Sequence, residues 1–309
     1  VCPNIYTKKG GTMPSKDYEN ILELLDSMPD TSGLSFEERR SNFEEEVSQL
    51  PVAENVSCEP LSVDGIPAEW IIPEGAPMQS VLLYLHGGGY CIGSINTHRG
   101  MVSHIARAAE TRALLIDYRL APEYPFPAAV EDSTATYKWL LSQGIVASDI
   151  IVAGDSAGGG LTVSTLVSLK EKGIPLPAAA VLISPWVDLA ITGDSVISKA
   201  EIDPMVTKEG LIEMAEAYLD DTEPRTPLAS PLYADLVDLP PMLIHVGTSE
   251  ILLDDAIRLA DHARNSGVEI TLNTAEGMCH VWHFFTIMLP EALEAIRDVA
   301  LFMREHLRE

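Results

Sequence analysis

The sequence predicts an α/β fold, a doubly wound and mostly parallel sheet with helices on both faces. Three observations predict it. From residue 81 onward, short apolar runs alternate with helix-patterned segments. Most of those runs lack polar alternation, as strands covered on both faces do. Strand and helix succeed each other regularly, and parallel neighbours need such crossovers to bring the chain back across the sheet.

The first 50 residues read as helical. Ile21, Leu22, Leu24, Leu25 and Met28 cluster at helical spacing, and Ser35 with Glu38 forms a capping-box pattern ahead of Phe43 and Val47. Strand-like alternation follows over 56–61 and 68–72, with Asp64-Gly65 as the turn. The apolar runs are 81–85, 113–117, 150–153, 179–183, 242–246 and 268–274. Helix-like segments lie at 97–110, 128–141, 158–171 and 251–265, with a last helix over 291–307. Between Trp186 and Leu239 the rhythm breaks. About 50 residues there hold a helical stretch at 208–219 but no convincing strand, which is too long for an ordinary connection. The segment is either a solvent-exposed excursion or a lid over the carboxyl ends of the strands, where ligands bind in such sheets. The lid is the favoured reading, helped by the N-terminal helices.

Composition sets the limits. The chain has 309 residues, 46% hydrophobic and 21% charged, so it can bury a large core. It carries 20 Lys+Arg against 46 Asp+Glu, a net charge of −26. That surface repels phosphate backbones and anionic lipid, so neither a nucleic-acid nor a membrane partner is expected. Cys2, Cys58, Cys91 and Cys279 are scattered, with no C-x-x-C pair. Free thiols in a reducing, cytoplasmic setting are expected rather than a disulfide framework or a zinc site. No apolar run reaches the roughly 18–20 residues of a membrane span. Residues 1–11 hold Lys8 and Lys9 with no apolar stretch behind them, so no signal peptide is expected there.

Gly154-Asp155-Ser156-Ala157-Gly158 is a G-x-S-x-G sequence that follows one apolar run and opens a helical segment. In that strand–turn–helix context it reads as a nucleophile turn, whose tight bend needs small neighbours. The plain alternatives are a capping serine or a phosphate loop, but a phosphate loop of the Walker type would need a lysine after the glycines. His86-Gly87-Gly88-Gly89-Tyr90 directly follows the run at 81–85. Three glycines there let backbone N–H groups approach a substrate oxygen, and Gly87, Gly88 and Ala157 are the expected oxyanion donors. His86 precedes Ser156, against the hydrolase order of serine, acid, histidine, so it is expected to pin the glycine loop instead. His280 follows the last strand and is the expected base, with His283 as competitor. Glu250 follows the run at 242–246 and is the expected acid. Asp254 and Asp255 read as first-turn helix charges. Tyr90 and Asp155 flank the site and are expected to shape the substrate position.

Taken together, these motifs resemble the hormone-sensitive-lipase-like family of bacterial carboxylesterases, within the α/β-hydrolases. The resemblance also rests on Asp117-Tyr118-Arg119-Leu120-Ala121-Pro122-Glu123, Ser184-Pro185-Trp186-Val187-Asp188-Leu189, Leu239-Pro240-Pro241 and Gly277-Met278-Cys279-His280. It implies an α/β-hydrolase fold with a helical cap: cap segment 1–50, core 51–190, cap insertion 191–238 and core 239–309. It implies a serine esterase for short-acyl-chain esters, with no cofactor, no metal and a homodimer formed through a sheet edge. One departure is Glu250-Ile251-Leu252, where many members carry Asp-Pro-Leu. A glutamate can fill the same role. Plant gibberellin receptors resemble the family too but lack the catalytic histidine, and His280 argues against such a binding-only role. Related chemistry on amides, lactones or acetylated substrates stays open, while no His/Asp spacing supports a metal hydrolase.

Overall fold

The computed structural model of the protein describes residues 7–10 and 14–307. Its strands are β1 (Thr7–Gly10), β2 (Val56–Val63), β3 (Ile66–Pro73), β4 (Val81–Leu85), β5 (Arg112–Ile116), β6 (Ile150–Asp155), β7 (Ala179–Ile183), β8 (Met242–Gly247) and β9 (Ile270–Ala275). The helices are α1 (Lys16–Asp26), α2 (Phe36–Val47), α3 (Ile95–Ala109), α4 (Ala128–Ser142), α5 (Ala157–Glu171), α6 (Ser195–Ser198), α7 (Lys208–Leu219), α8 (Leu253–Asn265) and α9 (Pro290–His306). Among the described residues the strands form one sheet in the order β1-β9-β8-β7-β6-β4-β5-β3-β2. All its ladders are parallel except β2–β3 and β3–β5. This is the α/β-hydrolase architecture the motifs imply.

The apolar runs become strands because both of their faces are covered. Every residue of β4, β5 and β7 is buried. Side chains alternate across the sheet. Leu82 and Tyr84 therefore pack with Met101 and Ile105 of α3 and Ile296 and Val299 of α9. Val81, Leu83 and Leu85 point the other way, to Tyr137 and Leu140 of α4 and Leu161 of α5. The β2–β3 hairpin turns at Asp64 (φ 51°) and Gly65 (φ 96°), the paired positive angles of a two-residue turn matched to strand twist.

At the N-terminus the structure departs from the helical reading. β1 pairs in parallel with β9 at the sheet edge. Thr7-Lys8-Lys9-Gly10 carries no apolar pattern to announce a strand, because the pairing is made by backbone groups. Cys2 lies outside the described residues. The capping box at Ser35 and Glu38 is present as expected. α1 buries Tyr18, Ile21 and Leu25 beside Met278, Cys279 and Trp282 in the segment that follows β9. Leu22, Leu24 and Met28, grouped with them by spacing, stay exposed. α7 buries Leu211, Ala215, Tyr218 and Leu219 in the same cluster as Tyr90, in the loop after β4. Arg39 of α2 and Glu213 of α7 pair at 2.8 Å. Helices from both segments thus pack against loops that leave the carboxyl ends of strands. No helix among the described residues is long and apolar enough to cross a membrane.

The middle of β4 is fully enclosed, and Leu83 is 0% exposed. Leu83→Ala is expected to lower unfolding free energy by about 2–5 kcal/mol in urea titrations, from lost burial plus the cavity left behind.

Candidate active site

The carboxyl ends of five parallel strands supply the site. β6 ends at Asp155, and Ser156 turns the chain into α5 at φ 51°, ψ −122°. A non-glycine residue in that region is strained and must be held by its surroundings. The Ser156 N–H donates to Ile183 O (2.8 Å), and Ser156 O accepts from Trp186 N (2.9 Å) and Gly160 N (3.1 Å). The flanking glycines are required by close approach. A Cβ on Gly158 would lie 2.0 Å from Leu85 O, and one on Gly154 would lie 2.3 Å from Gly158 O. Tyr90, Ser184 and Val281 also take positive φ, so loops after β4, β6, β7 and β9 all carry strained residues at this end of the sheet.

Glu250 and His280 meet here. His280 Nδ1 lies 2.7 Å from Glu250 Oε2. The Glu250 carboxylate is 0% exposed, and its other oxygen accepts from Gly247 N (2.6 Å) and Ser184 Oγ (2.9 Å). Ser184 Oγ in turn accepts from Val281 N at 3.1 Å. Ser184 directly follows Ile183, the acceptor of the Ser156 amide, so the serine turn and the Glu250–His280 pair are tied to one strand end. No hydrogen bond joins Ser156 Oγ to His280 among the described residues. Such contacts are often open in the absence of substrate. Burial opposes charging of His280, but the hydrogen bond and charge of Glu250, with Asp203 and Asp155, outweigh it and hold the imidazole pKa above its ordinary value.

The competing residues point elsewhere. His283 Nε2 lies 3.1 Å from His245 Nδ1, and burial with His245 nearby drives its pKa well down. Asp254 accepts the Ser195 N–H at 2.8 Å. Asp255 stands in the first turn of α8 as expected, but not in solvent. It is buried and accepts the N–H groups of Val187 and Asp188, both at 2.9 Å, and burial lifts its pKa to about 7. Cys279 is buried, and its thiol pKa is pushed up to about 12 by burial.

Around the glycine loop the structure differs from the sequence expectation. The Gly87 N–H is already engaged, with Asp155 Oδ1 and His98 Nε2 each at 3.2 Å. It is therefore unavailable to a substrate oxygen. The amides of Gly88, Gly89 and Ala157 donate to no protein group among the described residues. His86 lies where expected, with its Nδ1 2.7 Å from Gly87 O. Burial, with His98 beside it, pushes its pKa down to about 3, so the ring is neutral and Nδ1 donates. Asp155 and Tyr90 lie beneath the site rather than lining it. Asp155 is 2% exposed and also accepts from Tyr84 OH at 2.9 Å. Burial works to raise its pKa, but His98 and Tyr84 hold it below the ordinary carboxylate value. Tyr90 is 1% exposed and stacks on Tyr218 of α7 with ring centroids 3.8 Å apart.

Three contributors had no sequence signal that named their role. Ser184 stands in a motif of the resemblance but without an assigned task. His98 falls in the helix-patterned segment 97–110, outside every motif of the resemblance. Asp203 lies in the Pro- and Asp-rich insertion, yet its carboxylate accepts from Met205, Val206 and Ile251 N–H groups at 2.8–2.9 Å. Elsewhere, Arg40 of α2 clamps the segments after β4 and β5, donating to Cys91 O and Ala121 O at 2.7 Å each. No cluster of three or more His, Cys, Asp or Glu side chains is arranged to hold a metal ion among the described residues.

An α/β-hydrolase-fold profile matches residues 82–284. An acetyl-hydrolase of Streptomyces hygroscopicus is 42% identical over 94% of this chain and 97% of its own length. A crystal structure of an esterase from the bacterial hormone-sensitive lipase family superposes with TM-score 0.92 at 46% identity, covering 96% of this chain and 100% of that one. The crystal structure of EstE5 soaked with p-nitrophenyl butyrate gives TM-score 0.91 at 46% identity, covering 94% and 99%.

Ser184→Ala removes one donor to a buried carboxylate and strands the Val281 N–H. A loss of roughly 1–3 kcal/mol in unfolding free energy is expected, read by urea denaturation against the wild type.

Proposed function

The chain belongs to the α/β-hydrolase family, among the bacterial carboxylesterases related to hormone-sensitive lipase, and on that footing we propose that it hydrolyses short-acyl-chain esters through an acyl-enzyme on Ser156. The observation that carries this reading is the buried contact of 2.7 Å between His280 Nδ1 and Glu250 Oε2. A carboxylate accepts there, so Nδ1 holds the hydrogen and Nε2 keeps its lone pair. That is the tautomer a general base needs.

Ser156 Oγ attacks the ester carbonyl carbon as its proton passes to His280 Nε2. The carbonyl oxygen becomes an oxyanion, and the unengaged N–H groups of Gly88, Gly89 and Ala157 receive it. The C–O bond to the alcohol then breaks, and the leaving oxygen takes the proton from Nε2. Water adds to the acyl-enzyme by the same route, with His280 as base, and releases the acid and free Ser156. Glu250 stabilises the imidazolium formed at each stage. Gly88 and Gly89 replace the Gly87–Gly88 pair as donors, because the Gly87 amide is spent inside the fold.

The short acyl preference is supported by the butyrate ester soaked into the EstE5 crystals. A second reading, removal of acetyl groups from an acetylated small molecule, is favoured by the acetyl-hydrolase relative. The helices α1 and α2 of the first 50 residues, with residues 191–238, act as the cap in this proposal, supported by the contacts of α1 and α7 with the loops after β9 and β4. A homodimer and a cytoplasmic setting belong to the same proposal. Sedimentation of the purified chain tests the first.

Ser156→Ala is expected to remove nearly all hydrolysis of p-nitrophenyl butyrate, while retained turnover would overturn the nucleophile. Glu250→Gln is expected to lower kcat by up to about 10⁴-fold, since the amide favours the wrong imidazole tautomer. Asp254→Asn should leave it near wild type. The base works when neutral, and its pKa is raised. The acid limb of kcat/KM should therefore lie above that of an ordinary imidazole, with activity falling as pH drops through it. Asp203→Asn withdraws a negative charge and should move that limb to lower pH. An unmoved limb in the pH profile would contradict the assignment.

A further inference from the structure

We propose that His98 is a positioning residue for the ester hydrolysis described above, holding the oxyanion loop and the nucleophile turn in register through Gly87 and Asp155. The inference rests on that reading of the site. His98 lies in the first turns of α3 and is 1% exposed. Its Nδ1 is 2.8 Å from Thr97 Oγ1 and 3.3 Å from Ser94 O. Thr97 Oγ1 spends its hydrogen on Ser94 O at 3.0 Å, so Nδ1 faces acceptors and carries a hydrogen of its own. Nε2 lies 3.2 Å from Gly87 N and 3.3 Å from Asp155 Oδ2, while Gly87 N is 3.2 Å from Asp155 Oδ1. Ring nitrogen, amide and carboxylate form a closed triangle. With its lone pair free, Nε2 accepts from Gly87; with a hydrogen, it donates to Asp155, whose other oxygen accepts from Gly87, so in either state the ring is bonded to one member of the Gly87–Asp155 pair.

The two segments are the ones that matter. Asp155 directly precedes Ser156, and Gly87 directly precedes the amides of Gly88 and Gly89. Fixing the Gly87 N–H fixes the peptide plane from which the next two amides are aimed. The ring has little room to leave. Phe43 of α2 packs edge-on with centroids 6.2 Å apart, Phe284 does so at 5.1 Å, and His86 lies at 5.3 Å. Phe284 lies in the short helical turn Trp282–Phe285 that begins two residues after His280, so His98 also packs against the segment that follows the base. A donor displaced by a few tenths of an ångström weakens binding of the oxyanion more than binding of the ground-state ester. The expected signature is a loss in kcat with KM nearly constant.

The test compares His98→Gln with His98→Asn in the full chain. The Gln amide reaches the position of Nε2 and can donate or accept there, whereas the Asn amide reaches only the position of Nδ1. With p-nitrophenyl butyrate, His98→Asn is expected to lose on the order of 10- to 100-fold in kcat, with KM within about twofold. Inhibition by a trifluoromethyl ketone, which forms an oxyanion adduct, should weaken in proportion, and His98→Gln should recover most of both. Equal behaviour of the two variants, or an activity loss that only tracks the unfolded fraction seen by circular dichroism, would overturn the proposal. A different result sinks the esterase reading itself: wild-type protein that neither cleaves the ester nor is labelled at Ser156 by a phosphonate.

Discussion

The arrangement of this molecule depends on satisfying one buried carboxylate. Glu250 is wholly enclosed, and leaving such a charge unpaired costs several kcal/mol. Its partners come from three places: the Gly247 amide at the end of β8, the Ser184 hydroxyl after β7, and His280 after β9. The Gly247 amide is local, but Ser184 and His280 are neighbours only because β7, β8 and β9 lie side by side in parallel. The same need for donors therefore binds three strand ends together and fixes the imidazole tautomer. Stability and chemistry draw on the same hydrogen bonds.

Asp155 repeats the device on the other side of Ser156. It is a second buried carboxylate, met by Tyr84 from β4, by the Gly87 amide, and by His98 from α3. Because it consumes the Gly87 N–H, the free donors shift one residue along the loop, to Gly88 and Gly89. A buried charge thus selects which backbone groups remain for a reacting oxygen. Tyr118 adds a further brace by donating to His86 O at 2.7 Å, with its ring stacked on the imidazole. In the proposed reaction, groups held this firmly would lose little by reorganisation as charge develops.

The helical segments outside the sheet complete these clamps. Arg40 reaches from α2 to carbonyls at Cys91 and Ala121, and α7 brings Tyr218 onto Tyr90. Asp203 ties the insertion to Ile251, next to the buried Glu250. Its charge also acts on His280. Motion of the insertion would therefore alter the proton affinity of His280.

Much of this was legible in the sequence, for local reasons. Apolar runs without alternation marked β4, β5 and β7, because strands buried on two faces have no polar side. The small residues around Ser156 and the glycines after His86 announced tight approach, which only short side chains permit. Chain order then placed Glu250 after β8 and His280 after β9. Other features could not be read locally. β1 is made by backbone pairing with a strand some 260 residues away and leaves no side-chain pattern. The engagement of Gly87, the burial of Asp155 and Tyr90, and the partners of Ser184, His98 and Asp203 depend on which strand ends become neighbours. Sequence determined the kinds of chemical group available and their order along the chain. The parallel sheet alone decided which of them face each other, because hydrogen bonds between residues far apart in sequence exist only once the strands are aligned.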